Sequence, residues 1–111
     1  MQGRLKLLRD SLTVLASPPD VQLLHLTNLG VPGVIDELAL EYDDTANAAD
    51  TMFVEGELDD RQRDCVKRLN QLMKRFSGSA NEHLWSPEAL NFAAEWEEVR
   101  RIAKECLALL E

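Results

Sequence analysis

Apolar residues recur along this chain at intervals of three and four, and nowhere in sustained apolar-polar alternation, so helices and not strands must carry its core. Leu5, Leu8, Leu12 and Leu15 form one stripe, and Val66, Leu69, Leu72, Met73 and Phe76 another. Phe92, Trp96, Val99, Ala103, Cys106 and Leu110 follow each other with the regularity of a heptad seam. The expected fold is all-α: a single domain over residues 1–111, arranged as an up-and-down bundle of four to five helices. With 45% apolar residues, a chain of 111 can bury a continuous core without metals or disulfides.

Glycine, proline and capping residues divide the stripes. Ser17-Pro18-Pro19-Asp20 opens a second helix, with Ser17 as its cap, and Gly30 stops it after Leu29. Val21, Leu23, Leu24, Leu26 and Leu29 cover more than one face, which predicts a central position for this helix. Ile35, Leu38, Tyr42, Thr45, Ala49 and Met52 then predict one long third helix ending at Gly56. Asp59 and Gln62 have the spacing of a capping box for a fourth, which stops at Gly78. Residues 77–85 have loop composition. Ser86-Pro87-Glu88 restarts a helix, and from there either one long helix or a short and a long one fit the pattern.

The charge pattern is the most informative feature for function. No lysine or arginine occurs between Arg9 and Arg61, while residues 31–60 hold ten acids, so that segment alone carries −10 of a net −8. On the third helix, Glu37, Glu41 and Asp44 form one acidic ridge, and Asp36, Asp43 and Asp50 form another. Like charges at these spacings destabilise a helix slightly, so the segregation needs a cause outside the helix. One cause is internal: the fourth helix carries Arg61, Arg63, Lys67, Arg68, Lys74 and Arg75 against Asp64 and is able to neutralise its neighbour. The other is a basic partner, drawn and oriented by an exposed acidic surface. The same surface repels nucleic acid, so direct nucleic-acid binding is not expected.

Other chemistry-bearing residues read as structural. Cys65 and Cys106 lie far apart inside helical patterns, without the close spacing of metal or redox pairs, and are expected to be buried thiols. His25 sits among Val21, Leu24 and Leu29 as a boundary histidine, and His83 lies in the loop segment. Trp96 belongs to the seam and is expected in the core. Trp85, beside the loop, is the more exposed aromatic, placed either for recognition or to staple the next helix start. No metal and no cofactor is expected. No apolar run is long enough to cross a bilayer or form a signal-peptide core, and a cytoplasmic address is expected.

Two resemblances follow from particular residues. The pairs Glu41/Asp44 and Glu95/Glu98, each at one-turn spacing, resemble the metal-binding pairs of the all-helical nucleoside-triphosphate pyrophosphohydrolases, with the order of the pairs reversed. That resemblance implies a magnesium-dependent nucleotide hydrolase. The segment from Val34 to Asp44, with Glu97-Glu98-Val99-Arg100-Arg101, is similar to small acidic helical bacterial proteins, some of which are immunity proteins that cover the basic surface of a toxic enzyme. The leading expectation is a non-enzymatic protein-binding module of the immunity or inhibitor type. Asp36, Glu37, Glu41, Asp43, Asp44 and Asp50 would contact a basic protein such as a toxin or nuclease. The hydrolase and a homo-oligomer joined through the Phe92–Leu110 seam are the alternatives.

Overall fold

The stripes become helices that pack their apolar faces into one common core. The computed structural model of the chain describes residues 3–110, which are all-helical with no strand. The elements are α1 (Gly3–Ala16), α2 (Pro19–Asn28), α3 (Asp36–Ala46), α4 (Ala49–Val54), α5 (Asp60–Arg75), a 3-10 helix (Ser79–Leu84), α6 (Pro87–Phe92) and α7 (Ala94–Leu110). This is more helices than the four to five expected, because three of the seven are short. The longer α1, α7, α5 and α3 form a closed ring of neighbours, with α7 between α1 and α5 and α3 touching both of them. Leu8, Leu12 and Leu15, Leu38 and Tyr42, Val66 and Leu69, and Trp96, Val99 and Ala103 meet in the centre.

Local signals in the sequence have their expected counterparts. Gly30, Gly56 and Gly78 take φ of 84°, 80° and 96°, the left-handed region that other residues avoid, and each ends a helical stretch. Asp59 Oδ1 accepts from the Gln62 amide at 2.8 Å, while Gln62 Oε1 accepts from the Asp59 amide at 2.7 Å. Ser86 Oγ accepts from the Ala89 amide at 3.1 Å.

Several expectations need correction. The third helix is broken: α3 ends at Ala46 and α4 begins at Ala49. Asn47 favours turns over helix interiors, and Ala48 follows with ψ of 0°. The buried stripe continues through Ala46, Ala49 and Met52 on both sides of the break, which is why periodicity alone conceals it.

The second helix is peripheral, not central. Only Gln22 and Leu26 of it are buried, whereas Val21, Leu24 and Leu29 are 45%, 58% and 48% exposed. A buried amide holds it in place: Gln22 Nε2 donates to the Val14 and Leu15 carbonyls at 3.1 and 3.0 Å, and its Oε1 accepts from Arg100 at 3.1 Å. Ser17 does not cap it, because its hydroxyl turns back to the Thr13 carbonyl at 2.7 Å and Pro18 takes the N-cap position.

Residues 79–84 are a 3-10 helix rather than loop. The last segment is the short helix followed by the long one, divided where Ala93 adopts an extended ψ of 136°. Phe92 therefore leaves the seam and is exposed. The remainder of the seam, from Trp96 to Leu110, is buried within the chain, so it is not the surface through which a second copy would pack.

Candidate functional site

The rotation of α3 decides where its acids point. Leu38, Tyr42 and Ala46 face inward, and the Tyr42 hydroxyl donates to the Val66 carbonyl of α5 at 3.1 Å. Burial pushes the Tyr42 phenol well above its ordinary range, so it stays protonated and keeps that bond. With Tyr42 fixed, Asp36, Leu40 and Asp43 turn toward a groove between α3, the end of α5 and the 3-10 helix.

The groove has two joined compartments of about 610 and 320 Å³ that share Ala39, Leu40, Ser77 and Trp85. Asp36 and Glu82 lie in the first, and Asp43, Asn47 and Lys74 in the second. Leu40 is 56% exposed, so the floor is apolar and reachable. Trp85 forms a fixed wall: its indole Nε1 donates to the Phe76 carbonyl at 2.8 Å, and its ring centroid lies 5.5 Å from Phe76 and 5.4 Å from Trp96. Trp96 is itself anchored by donation to the Leu84 carbonyl at 2.7 Å.

The six candidate acids have separate surroundings. Glu41 is on the side of α3 facing α2, where it accepts from His25 Nε2 at 2.8 Å. Asp50 is carried away on α4 and lies 2.9 Å from Lys67 Nζ. The ridge Asp36–Asp43–Asp50 is thus interrupted by the helix break. Among the described residues, Asp36, Glu37, Asp43 and Asp44 have no cationic group within salt-bridge distance.

Most of the ion pairs of α5 are made elsewhere. Arg63 reaches Asp60 at 3.5 Å and Asp64 at 3.2 Å, and its guanidinium stacks 3.9 Å from the Phe53 ring centroid. Arg68 pairs with Glu105 of α7 at 3.1 Å. Among the described residues, the neutralisation that the sequence allows between the third-helix segment and α5 is therefore confined to Asp50 and Lys67.

The two carboxylate pairs do not assemble a metal centre. Glu41 is engaged by His25, and Glu98 is engaged by Arg101, whose guanidinium holds the Glu98 carboxyl below its ordinary range. Among the described residues, no group of three or more His, Cys, Asp or Glu side chains is placed to hold a metal ion. No helix among them is long and apolar enough to cross a membrane.

Leu40 and Glu82 are the groove residues that charge counting overlooks. Leu40 lies off the buried stripe yet on one face with Asp36 and Asp43, and that mismatch is the signal available in the sequence. Glu82 reaches the groove through the 3-10 helix, which no local pattern announces. No protein-family model, curated protein or solved structure matches this chain.

Proposed function

We propose that the chain is a non-enzymatic protein-binding module of the immunity or inhibitor type, whose α3 groove receives a basic segment of a partner such as a toxin or nuclease. A lysine or arginine has an aliphatic stem and a charged head. The stem fits along Ala39, Leu40 and Trp85, and the head reaches Asp36, Glu82 or Asp43. Glu37 and Asp44, outside the groove, extend the negative field that draws such a partner in and sets its orientation. If the partner acts on nucleic acid, these carboxylates occupy the groups that would otherwise hold phosphates.

The observation that carries this reading is the conjunction of unpaired carboxylates with an exposed apolar floor. Solvated acids alone serve solubility, and an apolar hollow alone is ordinary surface; together they match the two ends of a basic side chain. The test is amide chemical-shift mapping with a peptide alternating lysine and leucine. The expected shifts centre on Asp36, Leu40, Asp43 and Trp85 and fade with added salt. Shifts spread evenly over all exposed acids, including Glu95 and Glu97, or centred on another face, would overturn the proposal.

A further inference from the structure

Cys65 and Cys106, distant in sequence, are brought face to face where α5 packs on α7. Their sulfurs lie 2.6 Å apart, both side chains are buried, and both are free thiols. The expectation that they are inert core thiols accounts for their burial but not for their meeting.

Access to the pair is one-sided. Cys65 lines an open groove of about 560 Å³ whose walls include Arg61, Asp64, Arg68 and Glu105. Cys106 does not line it and is 1% exposed against 7% for Cys65. Burial also raises the Cys106 thiol above its ordinary range, in keeping with Cys65 being the sulfur that meets a solute first. The two sulfurs thus have different roles open to them: one meets a solute and the other meets only its neighbour.

The geometry points to a redox-active dithiol in which Cys65 reacts with a low-molecular-weight disulfide in the groove and Cys106 resolves the product, closing a reversible bridge between α5 and α7. In the first step the Cys65 sulfur, its proton lost to solvent, bonds to one sulfur of the oxidant, and the oxidant's S–S bond breaks to release one thiol. In the second step Cys106 gives up its proton and bonds to the Cys65 sulfur, and the Cys65–oxidant bond breaks to release the second thiol. The chain loses two electrons and two protons, and one small disulfide becomes two thiols. The packing of α5 on α7 already holds the sulfurs together, so closure needs little backbone movement.

The experiment is incubation of the whole chain with oxidised glutathione at graded ratios to the reduced form, followed by intact mass and non-reducing peptide mapping. The expected product is a monomer lighter by two hydrogens, with Cys65 and Cys106 in one linked peptide, reverting on reduction. Cys106→Ala is expected to stop at a single glutathione adduct on Cys65, and Cys65→Ala to stay unmodified over the same period. An unchanged mass at every ratio, disulfide-linked dimers in place of the internal bridge, or modification of Cys106 ahead of Cys65 would overturn the inference. Should the alanine variants unfold, the order is read in the native chain from which cysteine a brief alkylation pulse labels first, with Cys106 first counting against it.

Discussion

Lys67 Nζ lies 2.9 Å from Asp50 Oδ1, and among the described residues this is the single ion pair between the basic α5 and the six acids from Asp36 to Asp50. The two segments are adjacent in sequence and opposite in charge, yet among the described residues that one pair is the extent of their mutual neutralisation. The reason is rotational: Tyr42, held by Val66, turns Asp36 and Asp43 into the groove, while α5 directs Arg68 toward α7. The exposed negative surface is therefore a consequence of how α3 is anchored.

That anchor has a pH dependence. The chain has a single tyrosine, and the phenol of Tyr42 is raised above its ordinary value in the folded state. A raised folded value means that its contribution to stability is fully present below the unfolded value and is lost as pH rises above it. On alkaline titration the phenolate absorbance should appear together with the loss of helical circular dichroism. A phenolate signal that precedes unfolding would show Tyr42 to be accessible.

Gln22 is fully buried and bridges α1 and Arg100. Gln22→Leu keeps the size but strands the Leu15 carbonyl, since the Val14 carbonyl still accepts from the Ser17 amide, and removes one of two acceptors from a buried guanidinium, so a loss of about 1–3 kcal/mol is expected in urea unfolding. A change below about 0.5 kcal/mol, the range of ordinary surface substitutions, would mean that α2 is held by its apolar contacts instead.

Trp96 has no exposed surface and joins Phe76 and Trp85 in one aromatic cluster. Trp96→Ala should cost about 3–5 kcal/mol. Trp85→Ala, at the half-buried edge of the same cluster, should cost less and should also weaken peptide binding in the groove. Equal losses of stability with unchanged binding would place Trp85 outside the site.

The bridge between Cys65 and Cys106 would close a loop across a separation of 41 residues. Constraining the unfolded chain over such a loop is worth about 4 kcal/mol, so the oxidised form should unfold at clearly higher denaturant than the reduced form. Equal midpoints would show that bridging strains the α5–α7 contact by as much as it constrains the unfolded chain.

The helical class and most helix ends were legible because each rests on local chemistry: the glycines at Gly30, Gly56 and Gly78, the Asp59–Gln62 box, the Ser86 cap. What escaped rests on tertiary choices. The break at Asn47–Ala48 keeps the buried stripe in phase, so hydrophobic spacing carries no trace of it. The leucines of α2 suggested a central helix, but a polar residue, Gln22, provides its attachment. The α3 acids of the groove, Asp36 and Asp43, were visible in the charge count, whereas Leu40, Glu82 and the meeting of Cys65 with Cys106 depend on elements brought together from distant parts of the chain.

The most direct test of the central claim is the stopped-flow association rate of the lysine–leucine peptide at low ionic strength, with Asp36→Lys/Asp43→Lys compared against the unaltered chain. Both positions are exposed, so the variant should fold normally. Its association rate should fall by about tenfold or more, with a flattened dependence on salt. An unchanged rate in a correctly folded variant would contradict the account.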